Sequence, residues 1–131
     1  LEKIFLEEGV TNDEKTLAKI ARRIYKSAEG DRALNTYAYV LLENNEIEKA
    51  IAVLMVNTML FRRSANTWDS LAEAYVKNKE FEKAYINYEK ALKINPSLET
   101  AKKKIVELSK YKPVEEKKLE EKKTDKKEKK S

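Results

Sequence analysis

The run Asn44-Asn45-Glu46-Ile47-Glu48-Lys49-Ala50 returns 34 residues later as Asn78-Lys79-Glu80-Phe81-Glu82-Lys83-Ala84, with five identities in seven positions and an Ile/Phe exchange. The same offset sets Leu34 on Trp68, Tyr37 on Leu71, Ala38 on Ala72, Leu41 on Tyr75 and Leu54 on Tyr88. Large and small apolar positions therefore keep register over the whole unit. A repeat of this length points to stacked helix pairs, each of which lacks a core of its own and depends on its neighbours.

From Leu1 to Tyr111 there is no sustained apolar/polar alternation, and the two glycines and two prolines fall at isolated points, so strands lack support. The pattern predicts an all-helical fold. Thr11 and Glu14 have capping-box spacing, and Leu17, Ile20, Ala21, Ile24 and Ala28 then recur on one helical face that Gly30 closes. Ala38, Ala50, Ala72 and Ala84 let helix backbones approach, while Trp68, Tyr75 and Tyr88 fill the gaps between antiparallel neighbours. Pro96-Ser97-Leu98-Glu99 is expected to begin a last helix, with Leu98, Ala101, Ile105 and Leu108 inward and Lys102, Lys103, Lys104 and Lys110 in water.

These residues resemble the tetratricopeptide repeat (TPR) family, whose pattern runs Trp-x2-Leu-Gly-x2-Tyr, then Ala-x3-Phe, then Pro. Trp68, Leu71, Ala72 and Tyr75 match its first helix, Ala84, Tyr88 and Ala91 its second, and Pro96 its end, with Ala72 and Tyr88 replacing Gly and Phe. The earlier copy keeps Ala38, Leu41, Ala50 and Leu54 but has Leu34 for Trp, Asn57 where a small residue is favoured, and Arg62 for Pro. The resemblance implies a short right-handed α-α superhelix. The expected organisation is a degenerate helical pair over 1–30, repeat units over 31–64 and 65–96, a capping helix over 97–111 and a disordered Lys/Glu-rich tail over 112–131. The first segment leaves the register, since Thr16 falls where Ala50 and Ala84 stand and Arg23 falls opposite Asn57.

In this family the first helix of each pair lines a concave groove for a protein or peptide. The resemblance thus implies groove positions at Arg32, Asn35, Thr36, Tyr39 and Leu42 in the first unit. In the second they are Asn66, Asp69, Ser70, Glu73 and Lys77, extended by Lys103 and Lys104. Asn35 has an amide suited to an extended peptide backbone, and Tyr39 is a rigid amphipathic contact; both also read as ordinary helix-surface residues. Some members grip acidic chaperone tails with Lys, Asn and Arg, but Asp69 and Glu73 repel a carboxylate, so a mixed or basic peptide suits this groove better. Met55, Met59, Leu60 and Phe61 form an apolar cluster that reads as core, and as a partner surface only if exposed.

Composition narrows function further. With no His and no Cys the chain lacks the usual ligands, nucleophiles and general bases of metal, thiol and imidazole chemistry. Two glycines leave no phosphate-cradling loop. Asp69 and Glu73, one helical turn apart with no catalytic partner, read as a solvated acidic face. No catalytic residue, metal or cofactor is expected. The net charge of +5 comes largely from residues 112–131, where nine Lys meet six acidic residues. Those carboxylates offset phosphate attraction, and no aromatic follows Tyr111 to stack on bases, so nucleic acid is not an expected partner. No apolar run approaches the roughly 18 residues of a membrane span, and no signal peptide is evident at the N-terminus. The compartment stays open, the cytoplasm being favoured.

The leading expectation is a non-catalytic scaffold that binds a protein or peptide. An alternative is a C-terminal accessory segment of a larger bacterial enzyme such as a hydrolase, since the run Trp68 to Tyr75, with Leu34 to Tyr39 and Asn57 upstream, resembles repeats that follow hydrolase domains in some bacterial proteins. A third is a helical bundle with no ligand, against which the 34-residue register argues.

Overall fold

In the computed structural model, residues 2–9, 13–26 and 31–114 are described, and all their regular structure is helical. The helices are α1 (Glu2–Glu8), α2 (Glu14–Lys26), α3 (Asp31–Glu43), α4 (Ile47–Leu60), α5 (Ala65–Lys77), α6 (Phe81–Ile94) and α7 (Glu99–Glu107), followed by one 3-10 turn, Ser109–Tyr111. Thr11, Ala28 and Gly30, and the tail from residue 115, lie outside the described residues.

The repeat is legible at its turns. At the end of α3 the Asn45 N–H donates to the Leu42 carbonyl and Glu46 N–H to Leu41; at the end of α5, Lys79 donates to Val76 and Glu80 to Tyr75. This is the Schellman arrangement, which closes a helix by turning one residue into the left-handed region. Asn45 and Lys79 both do so, each at a φ of 61°. The following ion pairs repeat as well, Lys49 Nζ to Glu46 at 2.8 Å and Lys83 Nζ to Glu80 at 3.0 Å.

Small residues set the spacing between the helices. Ala38, Ala50, Ala72, Ala84, Ala91 and Ala101 are all fully buried, so backbones pack without intervening side chains, and Leu34, Leu54 and Tyr88 fill the remaining space. α4 is the centre of the stack. It packs on α2, α3 and α5 and buries every residue from Ala50 to Leu54, which explains why its sequence is apolar nearly all round. Met55, Met59, Leu60 and Phe61 are partly buried against this core. Between α4 and α5 the Trp68 indole N–H donates to the Arg62 carbonyl at 2.9 Å, and the Lys90 ammonium lies 4.7 Å from the indole centroid.

The N-terminal helices pack differently from the repeats. Within the repeats each second helix packs on the next first helix, α4 on α5 and α6 on α7, whereas α2 packs chiefly on α4. Thr16 is engaged in capping: its backbone N–H and its hydroxyl both donate to the Asp13 carboxylate, at 3.0 and 2.8 Å. Asp13 therefore fills the N-cap place expected of Thr11. Leu17, Ile20, Ala21 and Ile24 are buried as their spacing predicts. α1 is tied down by Phe5, whose ring lies 5.9 Å from that of Tyr37, and by Arg23, which reaches Glu7 at 2.7 Å and Glu8 at 2.8 Å.

At the other end α7 starts at Glu99 rather than at Pro96. The Asn95 side chain accepts from the Ser97 N–H at 3.1 Å, and that local turn delays the helix. Ala101 and Leu108 are buried and Leu98 and Ile105 half-buried, while Lys102, Lys103 and Lys110 are exposed and Lys104 is partly covered. Tyr111 stacks on Phe81 with centroids 4.8 Å apart and closes this edge.

Candidate functional site

The first helices of the two units, α3 and α5, lie side by side, and residues in equivalent register meet across them. Tyr39 and Glu73 hold the same place in consecutive units. The Tyr39 hydroxyl donates to the Glu73 carboxylate at 2.6 Å, and Ser70 also hydrogen-bonds the Tyr39 side chain. Burial, then the bond to Glu73, pushes the Tyr39 phenol up from 10.0 to about 12. One turn earlier on α5, Asp69 accepts from the Thr100 hydroxyl at 3.3 Å through both carboxylate oxygens. Burial holds the Asp69 carboxyl above its usual value; the Thr100 bond opposes this and the nearby Glu73 adds to it. Burial also raises the Tyr88 phenol, with Asp69 and Glu73 adding to the effect.

The same register one unit earlier gives a different outcome. Asn35 corresponds to Asp69 and Asn66 to Thr100, but these two, with Arg32, Asn57 and Thr67, line a polar cavity of about 250 Å³. The Asn35 Oδ1 is buried and accepts no hydrogen bond among the described residues. Asn57 is fully buried on α4, where the second unit has Ala91. Thr67 belongs to the wall in a fixed pose, since its hydroxyl donates to the Ser64 carbonyl at 2.8 Å.

Of the expected groove positions, Tyr39, Ser70 and Glu73 are drawn together, Asp69 turns to Thr100, and Arg32, Asn35 and Asn66 surround the cavity. Thr36, Lys77 and Lys103 are exposed on their helices. Ser70 is buried and so is Leu42, which belongs to the core and not to a binding face. Leu42 sits on the side of α3 that carries Leu34, Ala38 and Leu41, and its burial follows from that apolar face. Lys104 is engaged with Glu107 at 3.2 Å. No sequence pattern marks Thr100 or Thr67 as a site residue, and Asn57 is marked only as a polar residue at a small-residue position.

The tetratricopeptide repeat family profile matches residues 65–98. That stretch is similar to a single tetratricopeptide repeat. α5 and α6 form the matched TPR unit, α3 and α4 repeat its turns and ion pair, and the architecture is a TPR-like helical repeat. Domains of this kind are typically non-catalytic scaffolds for protein partners. No curated protein matches the chain. Among the described residues no group of three or more acidic side chains gathers to hold a metal ion, and no helix is long and apolar enough to cross a membrane.

Proposed function

We propose that this protein is a non-catalytic scaffold that binds a basic or mixed peptide along α3 and α5, with Asp69 and Glu73 as its anionic anchors and Asn35, Tyr39 and Lys103 beside them. The observation that carries this reading is the state of Asp69. It is half-buried, its carboxyl is held above the usual value, and it makes no ion pair among the described residues. A carboxylate that has lost part of its water and gained only a long hydroxyl bond at 3.3 Å is short of a cation. A Lys or Arg side chain of a bound peptide supplies one, and in a partly desolvated setting that pairing sets orientation and register. The Tyr39–Glu73 bond holds the second carboxylate in place beside it and reduces the side-chain entropy lost on binding. Thr36, Asn66 and Lys77, exposed on the same two helices, complete the candidate surface.

The test is to pan the immobilised full-length chain against a random-peptide library, in parallel with an Asp69→Asn/Glu73→Gln double variant. The reading expects the wild type to enrich peptides that share a Lys or Arg at a fixed position, and the folded variant to lose them. Enrichment of acidic peptides, or equal enrichment by both proteins, refutes it.

A further inference from the structure

The two inter-unit junctions occupy equivalent positions but differ in composition. In the second, the Thr100 hydroxyl donates to Asp69 and Ala91 takes up little room. In the first, the equivalent positions hold Asn35, Asn66 and the larger Asn57. There the result is a cavity of about 250 Å³, with a buried Asn35 Oδ1 that finds no donor among the described residues. An unmet buried acceptor costs folding free energy, and the repeat's own alternative of a Thr donor and an Ala shows that the architecture does not require it.

We propose that this cavity, lined by Arg32, Asn35, Asn57, Asn66 and Thr67, is a carboxamide subsite that takes a Gln or Asn side chain of the bound peptide. The inference rests on the peptide-binding reading above and names a second residue class that the peptide carries. The chemistry selects among ligands as follows. Asn35 Oδ1 needs a donor, which a carboxylate lacks. Among the described residues Arg32 is the one charged member of the lining, and it opposes a Lys or Arg side chain. An aliphatic side chain leaves the polar wall unmet. A carboxamide donates through its NH2 to Asn35 and accepts through its oxygen from the Arg32 guanidinium or the Asn66 amide. Asn35 stands one turn before Tyr39 on α3, so a peptide that places its cation at Asp69 and Glu73 has the cavity within reach of a neighbouring residue.

The experiment is a titration of the ¹⁵N-labelled full-length chain with N-acetylglutamine N-methylamide, beside the glutamate, lysine and leucine analogues, following the side-chain amide signals of Asn35, Asn57 and Asn66. The expected result is a saturable shift of those signals at millimolar glutamine analogue, the range open to so small a ligand. Glutamate and leucine analogues should bind about tenfold more weakly or worse, the usual effect of an unmatched buried polar group. Asn35→Leu should abolish the response, and Asn66→Ala, placed at the exposed rim, should weaken it; backbone spectra report whether each variant is folded. Unmoved pocket signals, or equal responses to the glutamine and leucine analogues, overturn the proposal. The outcome is separable from that of the panning: a selected basic peptide that shifts Tyr39, Asp69 and Glu73 while the pocket amides stay still defeats the carboxamide subsite and leaves the anionic anchors standing.

Discussion

Tyr39 donates its hydroxyl to Glu73 at 2.6 Å across one full period of the repeat, from a place on α3 to the same place on α5. The bond ties the two units together on the face proposed to bind a peptide. Tyr39→Phe removes it and leaves Glu73 to water, so the expected loss of stability is only about 1 kcal/mol, read from urea unfolding. The variant also has a pH signature. The folded-state phenol is raised from 10.0 to about 12, so its contribution is fully present below pH 10 and is lost as pH climbs towards 12. Melting temperature should fall over that interval, and fall less steeply in Tyr39→Phe. Tyr75 and Tyr88 are also raised by burial and account for the slope that remains. An unchanged slope in the variant removes Tyr39 from the account.

Asp69 works in the opposite sense to an ordinary surface carboxylate. Its folded pKa lies above the unfolded value of 3.8, so the stability linked to it is present below pH 3.8 and is lost as pH rises through the folded value. At neutral pH the charge on Asp69 therefore destabilises the fold. Asp69→Asn keeps an acceptor for Thr100 and should melt at a higher temperature than the wild type at pH 7, with the gain vanishing near pH 3. The same substitution should weaken binding of a basic peptide. A variant that is less stable at neutral pH contradicts this reading of the site.

Lys79 and Asn45 hold the same left-handed turn position, and only one of them is a residue type that adopts it readily. Lys79→Asn should stabilise the chain by ~0.5–1 kcal/mol, because the left-handed conformation costs a long side chain more than it costs Asn. The midpoint of urea unfolding reports it. Asn45→Lys should move the midpoint the other way by a similar amount.

α1 depends on the Arg23 fork to Glu7 and Glu8 and on Lys19 at 3.1 Å from Glu8. Arg23→Ala should accelerate amide exchange over residues 3–8 while α5 and α6 keep their protection, and added salt should mimic the effect in the wild type. Faster exchange throughout the chain would mean instead that α1 is part of the cooperative core.

The fold was open to sequence reasoning where its cause was a period. The identical turns at Asn44–Glu46 and Asn78–Glu80, the buried alanines and the Leu17–Ile24 stripe all follow from spacing, and spacing is preserved in a single chain. The N-terminal packing was not, because Thr16 breaks the register without stating which helix α2 meets instead. The capping of α2 by Asp13 and the delayed start of α7 depend on one carboxylate and one amide choosing among nearby backbone N–H groups. The candidate site was legible as positions but not as pairs. Family register pointed to Tyr39, Asp69 and Glu73 one by one. That Tyr39 would be engaged by Glu73, that Thr100 would reach back to Asp69, and that Asn57 would line a cavity with Asn35 are properties of two helices brought together. Leu42 has groove register but lies in the core, because register alone does not separate the flank of a helix that faces a ligand from the flank that faces the core.

The most direct test of the account is to titrate the ¹⁵N-labelled full-length chain with a Lys- or Arg-bearing peptide selected by panning and to map the shifts onto the structure. The account predicts a contiguous set centred on Tyr39, Asp69 and Glu73 and extending to exposed residues of α3 and α5, with the effect lost in Asp69→Asn/Glu73→Gln. Shifts centred on α2, α4 or α6, or shifts that survive in the double variant, would contradict it.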